Sequence, residues 1–398
     1  MNNVTITSAP NEELKISLCG RLTAENTPET QEKIMASIKS PSKITVDAAK
    51  LEYISSSGLR LLLLLKKQCP DFRIINVSRD VDEILRMTGF DTLLTVERAL
   101  REISVEGCPC IGRGQYGEAY RLDRDTIVKL FAPNAATVDS LKIERQKAQD
   151  AFLLGVPTAI SYDVVRCGQR LGLIFELVDA KSVREIVAAD PSRLEELIPK
   201  CAALARDIHS LTPAPGVFPQ MAEIYHSRID ALDDLFTQSE LDLLHKMTDS
   251  IPMRKTFLHG DFHQGNIMVQ GDNLLLIDMA DTAVGNPVYD TMGIYMLGIR
   301  FVKTFPPEIS KKVAGLDVQT VYKAWEIFRD HYFQDEINFN ELEDMLTAYS
   351  ELRYLTFWKI FSLTGEFLSS EVQRIKKDFL PKVNDYIEHY ETFLRQDF

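Results

Sequence analysis

The segment His259-Gly-Asp261-Phe-His-Gln-Gly-Asn266, followed by the apolar run Leu275-Leu-Ile and then Asp278, constrains this chain more than any other feature. An aspartate and an asparagine stand five apart, and a second aspartate follows twelve residues later behind a strand-like run. Asp261 is placed to accept or orient the proton of a substrate hydroxyl. Asn266 and Asp278 offer oxygen atoms, the ligands that Mg²⁺ prefers while it retains waters. Polar groups framing Ile267, Met268 and an apolar strand would be costly to bury without a role.

A glycine loop lies upstream, Gly112-Arg-Gly114-Gln-Tyr-Gly117. Alone it would serve a plain hairpin turn equally well, so its flanks decide. A dinucleotide fold needs a helix after the glycines, whereas Glu118-Ala-Tyr-Arg-Leu122 alternates like a strand. Strand, glycine loop and strand is the arrangement that lays backbone N–H groups over nucleotide phosphates. Lys129 ends the next apolar strand, seventeen residues after Gly112, within reach of α- and β-phosphates. A carboxylate must hold such a lysine. Glu144, on a helix expected near 137–153, is the best candidate, with Glu176 and Asp139 also available.

Two other chemistries compete. Gly260-Asp-Phe-His263 resembles the G-D-x-H piece of two-metal phosphoesterases, and Asp207-Ile-His209 their D-x-H, but both latter residues fall in an expected helix, Ile198 to Leu211, and no G-N-H-[DE] segment follows. Cys108 and Cys110 form a lone C-x-C with no partner pair, which argues against zinc. The first 102 residues carry 14 basic and 14 acidic side chains, so the whole net charge of −13 belongs to the remainder. An acidic body disfavours nucleic acid, whose binding rests on attraction to phosphate. No apolar run is long enough to span a membrane, no export signal is visible, and six scattered cysteines read as reduced thiols, so a cytoplasmic location is expected.

On the H-G-D-x-x-x-x-N form at 259–266, Asp278 and the trailing Gly285-Asn-Pro-Val-Tyr-Asp290, residues from about 103 onward resemble the aminoglycoside phosphotransferase/choline kinase family. Gly260 stands where protein kinases carry arginine, and Met279-Ala280 follows Asp278 where Phe/Trp-Glu or Phe-Gly is commoner. The resemblance implies a kinase-like N-lobe over 103–178 and a helical C-lobe over 179–398, with ATP and Mg²⁺ as cofactors. It implies a hinge at Phe175 to Val178, where backbone groups of Glu176 and Val178 meet adenine. The aromatic spacing Tyr354, Trp358, Phe361 is most simply core packing, with a substrate wall as the sharper reading.

Residues 1–102 alternate strand and helix signals, with strands at Lys43 to Asp47 and Phe72 to Val77 and helices at Gly58 to Lys67 and Val81 to Met87. Ser55-Ser56-Ser57-Gly58 opens an apolar helix, where a serine can cap and a phosphate would meet free N–H groups. With Met87-Thr-Gly-Phe90, this region resembles the STAS domain of anti-sigma-factor antagonists. By that resemblance Ser56 is the regulated serine, although the family's preceding aspartate is Ser55 here. The fold expected is an α/β STAS domain followed by an α+β protein-kinase-like bilobal domain. The function expected is transfer of the ATP γ-phosphate to a hydroxyl of a small molecule, with the STAS domain regulating or docking a protein partner. The alternative is a nucleotide-binding signalling module, or a protein-serine kinase, acting through the STAS domain.

Overall fold

The computed structural model describes residues 4–8, 13–38, 41–114, 117–308, 311, 315–333, 337–360 and 365–396. The chain divides into two compact units: residues 1–104 with 165–169, and residues 105–164 with 170–398.

The first unit is built on five strands in sequence order. β1 (Val4–Ser8) is antiparallel to β2 (Glu13–Leu22), and β2, β3 (Lys43–Ile54), β4 (Phe72–Val77) and β5 (Thr95–Arg98) run parallel to their neighbours. Parallel neighbours need crossover connections, and the helices α1 (Thr27–Ser37), α2 (Ser56–Gln68) and α3 (Arg79–Met87) supply three of them. Leu14, Ile16 and Leu18 alternate inward along β2 and meet Leu59, Leu62 and Leu65 of α2 in one core. β3 runs seven residues beyond the expected strand end at Asp47, because Ala48, Leu51 and Ile54 continue its buried face. A two-residue strand β6 (Arg101–Glu102) runs parallel to Val165 and Arg166.

Ser55 caps α2 by accepting the Gly58 N–H at 3.3 Å. Ser56 is therefore the first helical residue, and it is exposed. A Cβ on Gly58 would stand 2.6 Å from Ile54 Cγ1 and 2.9 Å from Leu22 Cδ2, so a side chain here would have to displace both.

In the second unit, β7 (Cys110–Gly114), β8 (Gly117–Arg121), β9 (Thr126–Phe131), β10 (Ser161–Cys167) and β11 (Arg170–Glu176) form a sheet in the order β10-β11-β9-β8-β7. The first of these strands begins at Cys110, after a turn at Glu106–Gly107. α4 (Val138–Leu154) begins with a Thr137/Ser140 capping box and ends at Gly155, whose φ of 97° closes the helix in the left-handed region. Beyond the strand β12 (Lys181–Ser182), the chain is mostly helical. α5 (Val183–Ala189), α6 (Leu194–His209), α7 (Met221–Asp230) and α8 (Gln238–Asp249) precede a set of short strands. These are β13 (Thr256–Leu258), β14 (Ile267–Gln270), β15 (Asn273–Leu276) and β16 (Ala283–Gly285), followed by α9 (Val288–Tyr295). Helices Val318–Tyr332, Phe339–Ile360, Gly365–Arg374 and Val383–Leu394 complete the unit.

Two pairings position the site. β14 and β15 form a tight antiparallel hairpin, and β13 pairs antiparallel with β16. The second pairing lays the segment after Leu258 beside the segment before Ala283. Tyr354 and Trp358 are buried core residues in edge-to-face contact at 5.6 Å, so packing is their role; Phe361 lies outside the described residues. Among the described residues no helix is long and apolar enough to cross a membrane.

Candidate active site

The loop after β13 is held from below by one buried carboxylate. Asp290, near the start of α9, accepts the backbone N–H of His259 at 2.9 Å and of Gly260 at 2.8 Å. Its Oδ2 also lies 3.0 Å from His209 Nε2. Burial would raise the Asp290 pKa, but His209 and His259 outweigh it and hold the carboxyl below its usual range. His259 Nδ1 accepts the Asp261 N–H at 3.2 Å, so its Nε2 carries the proton that reaches the Ile277 carbonyl at 3.1 Å. Gly260 has φ 80°, and a Cβ there would stand 2.2 Å from the Asp281 carbonyl oxygen. That contact is the physical reason for glycine at this point of the motif.

Three of the expected chemical groups converge on this loop. Asn266 Nδ2 donates to the Asp261 carbonyl at 3.0 Å and to its Oδ2 at 3.2 Å, which leaves the Asn266 Oδ1 for a cation. The Ile277 N–H donates to the Asn266 carbonyl at 3.0 Å, tying Asp278 to the same frame. Asp278 itself has φ 64°, a left-handed conformation that costs a non-glycine residue energy and clusters at functional sites. Its Oδ1 lies 3.0 Å from Lys129 Nζ, which also lies 3.4 Å from Glu144 Oε1. Lys129 thus bridges the carboxylate of α4 and the carboxylate beyond β15. Burial lowers the Lys129 pKa, but Asp278 and Glu144 reverse this and keep the ammonium charged. Glu144 is shifted up, by burial first and by the charge of Asp278, against the pull of Lys129.

The remaining expected residues fall as follows. Gly114 and Gly117 close the β7–β8 hairpin, and a Cβ on Gly117 would overlap the Leu130 carbonyl at 2.0 Å. Gly112 and Gly114 meet no such obstacle within the protein, and residues 115 and 116 between them and Gly117 lie outside the described residues. The Glu176 N–H donates to the Ile160 carbonyl at 2.9 Å, whereas the Val178 N–H has no partner among the described residues. His209 is turned to Asp290 while Asp207 is exposed, so the D-x-H pair does not face one metal. Among the described residues there is no group of three or more His, Cys, Asp or Glu able to hold a metal ion. The oxygen donors of Asn266 and Asp278 fit Mg²⁺, which is usually held by one or two carboxylates and completes its octahedral shell with water and phosphate oxygens.

Sequence reasoning missed several residues of the site. Arg353, on the helix Phe339–Ile360, donates from Nη2 to the Gly260 carbonyl at 2.6 Å and to Asp261 Oδ1 at 3.3 Å. His263 Nε2 stands 3.6 Å from Asp261 Oδ2. Burial alone would raise the Asp261 pKa; His263, Arg353 and His259 together hold it well below the usual carboxylate range. Lys147 donates to the Ala280 carbonyl at 2.8 Å and Arg228 to Asp281 at 2.9 Å, pinning the turn Met279–Asp281. Only His263 had a signal, its place inside the motif. A cavity of about 110 Å³ opens beside the loop, with Phe262, His263, Gln264 and Gly265 forming one wall.

A model of the phosphotransferase enzyme family matches residues 111–315, and a model of the Mlab, STAS domain matches residues 6–95. Comparison with curated proteins finds no match. Among solved structures, an aminoglycoside-3'-phosphotransferase of type VIII is 15% identical, with 63% of this chain and 94% of that one covered at a TM-score of 0.42. An aminoglycoside phosphotransferase APH(3'')-Id from Streptomyces rimosus is 18% identical, covering 63% and 93% at 0.42. A choline/ethanolamine kinase family protein from Mesorhizobium loti is 12% identical, covering 73% and 88% at 0.41.

Proposed function

The chain belongs to the phosphotransferase enzyme family and carries a STAS domain ahead of it, and from that premise we propose that it transfers the γ-phosphate of ATP, with Mg²⁺, to a hydroxyl of a small molecule. The observation that carries the reading is the junction of Lys129 with Asp278 at 3.0 Å, beside an Asp261 hydrogen-bonded by Asn266 at 3.2 Å. Lys129 and Asp278 meet although 149 residues apart, and Asn266 links Asp261 to the strand that leads to Asp278 through the Ile277 N–H. Lys129 would neutralise α- and β-phosphate oxygens, with Glu144 holding it in place. Backbone at Gly112, Gly114 and Gly117 would cover the phosphates, and the Val178 N–H with the Glu176 backbone would meet adenine. Asn266 and Asp278 would hold Mg²⁺, which supplies charge neutralisation for the moving phosphoryl group. Asp261, kept ionised, would accept or orient the acceptor's proton.

The test is ADP release by the purified protein with Mg·ATP and a panel of alcohols, with the phosphate monoester identified by ³¹P NMR. Wild type must turn over an acceptor, and Asp261→Ala must lose turnover while retaining nucleotide. A wild type that binds Mg·ATP and phosphorylates nothing would leave the nucleotide-binding signalling module instead.

For the STAS domain we propose a docking or regulatory role centred on Ser56. Its exposure on the first residue of the 13-residue α2 supports this, since a phosphate there meets the free N–H groups of the helix. Mass spectrometry after incubation with ATP tests whether Ser56 gains a phosphate. The six cysteines, all free, fit a reducing cytoplasm.

A further inference from the structure

The cavity beside the catalytic loop has an unusual lining for a site that would receive a polyamine. Opposite the loop, its walls come from Ile198 and Cys201 of α6, Leu297 and Gly298 after α9, and Ala324 and Trp325 of the helix Val318–Tyr332. Among the described residues no aspartate or glutamate lines it, and burial pushes the Cys201 thiol up to about 12, so that side chain stays neutral. An ammonium group placed there would be desolvated with no counter-charge, which is costly. The walls are mainly apolar, which suits a short branched aliphatic group and offers the ammonium groups of an aminocyclitol no counter-charge among the described residues.

Among the described residues, the basic side chains that line it are Arg184 and His263. Arg184 is half-buried at the start of α5, its backbone N–H fixed to the Gln264 carbonyl at 3.0 Å. Its stem packs on Gly315, where a Cβ would stand 2.7 Å from Cδ, and its guanidinium carbon lies on Gly265, where a Cβ would stand at 3.0 Å. Among the described residues the guanidinium has no hydrogen-bond or ion-pair partner. Five donors are thus held beside an apolar cavity, an arrangement that suits a planar carboxylate. His263 accepts the Gly265 N–H on Nδ1 at 3.0 Å, which leaves its Nε2 proton facing Asp261 Oδ2 at 3.6 Å. One imidazole therefore joins the cavity to the catalytic carboxylate.

We infer that this cavity seats the apolar part of the acceptor, and that the acceptor is a short aliphatic hydroxy acid whose carboxylate meets Arg184. The inference rests on the phosphotransferase reading above and specifies its substrate class. In the reaction the bond from the γ-phosphorus to its bridging oxygen breaks, leaving ADP. A new bond forms from that phosphorus to the acceptor hydroxyl oxygen, and the hydroxyl proton passes to the Asp261 carboxylate. The product is a phosphate monoester of the hydroxy acid.

The full chain is tested with Mg·ATP and β-hydroxybutyrate, β-hydroxyisovalerate, their methyl esters, choline, ethanolamine and kanamycin, reading ADP release and, by calorimetry, binding. Wild type is expected to bind and phosphorylate one of the two acids. Arg184→Gln should weaken that acid by at least about tenfold, the ratio that 1.4 kcal/mol of a charge-assisted contact sets, and should leave the methyl ester unchanged. Ala324→Leu, which fills the cavity, should lose both; if it fails to fold, Arg184→Gln still decides. Turnover of choline, ethanolamine or kanamycin without either acid overturns the inference and leaves the phosphotransferase reading standing. Failure of both acids to bind while Mg·ATP binds overturns the inference as well. Failure to bind Mg·ATP removes the reading beneath it.

Discussion

Arg353 places its Nη2 2.6 Å from the Gly260 carbonyl oxygen and 3.3 Å from Asp261 Oδ1, so a guanidinium reaches the loop after β13 from a helix 92 residues further along the chain. The motif carries glycine where an arginine could have stood, and the cation arrives through space instead. Arg353 is buried, its ring-facing side lies over Phe357 at 4.3 Å, and its Nε has no hydrogen-bond partner among the described residues. Removing one partner of a buried ion pair is destabilising, by up to about 3–5 kcal/mol, and here the Gly260 carbonyl loses its donor as well. Arg353→Met should therefore lower the melting temperature and also cut kcat by about 100- to 1000-fold, the range of one positioned electrostatic contact. Arg353→Lys should restore part of kcat. A fall in melting temperature without a fall in kcat would make the residue purely structural.

Asp261 is held ionised by His263, Arg353 and His259 against its burial. A depressed carboxyl stays a carboxylate as pH falls, so the acid limb of kcat/KM should lie below the ordinary aspartate range. His263→Ala removes the largest opposing contribution and should move that limb upward, seen in the pH–rate profile. An unmoved limb would mean that His263 does not act on Asp261.

Gly260→Ala puts a methyl group on the Asp281 carbonyl and a side chain at positive φ. Strain of the left-handed conformation costs about 1–2 kcal/mol, and overpacking adds about 1–3 kcal/mol. Thermal or denaturant unfolding should show the second unit weakened by that sum, with activity lost earlier than structure because Asp278 shares the displaced turn.

Lys129 is shared by Glu144 and Asp278. Lys129→Met should raise the KM for ATP and lower kcat, and Glu144→Gln should do the same more weakly. Residues in direct contact couple by about 0.5–3 kcal/mol, so the double variant should be little worse than Lys129→Met alone. Additive losses in kcat/KM would show that the pair does not act as a unit.

Asp290 accepts two loop N–H groups and faces His209. Its folded pKa is depressed, so its share of stability is present above the unfolded aspartate pKa near 3.9 and is lost as pH falls through the folded value. Asp290→Asn should cost about 3–5 kcal/mol at neutral pH, the cost of breaking a buried pair. It should also flatten the acid side of the stability–pH curve measured by urea unfolding.

The parts of this molecule that were legible in sequence are those whose signal is local. The alternation of β2, the apolar face of α2 and the interval between Asn266 and Asp278 can each be read within a dozen residues. The Asp261–Asn266 loop was legible because its chemistry and its glycine sit together. Arg353 was not, since a lone arginine on an amphipathic helix looks the same whether it faces solvent or a carbonyl oxygen. The cavity was hidden for the same reason: its walls come from five separate segments, and only packing brings Ala324 opposite Gly265. The far end of β3 was missed because Asp47 and Lys50 interrupt an apolar pattern that resumes at Leu51.

The β14–β15 hairpin pins Ile267 opposite Leu276 and turns at Gly271 and Asp272. Asn266 and Asp278 are set by the base of that ladder and are indifferent to its length. Rungs could be added or removed at the tip, two residues at a time, without shifting either oxygen donor. The twelve-residue interval is therefore a property of this hairpin and carries no chemical requirement. A pattern search that fixes the interval would overlook kindred chains with a longer or shorter tip, whereas one anchored on the two rungs nearest Asn266 and Asp278 would find them.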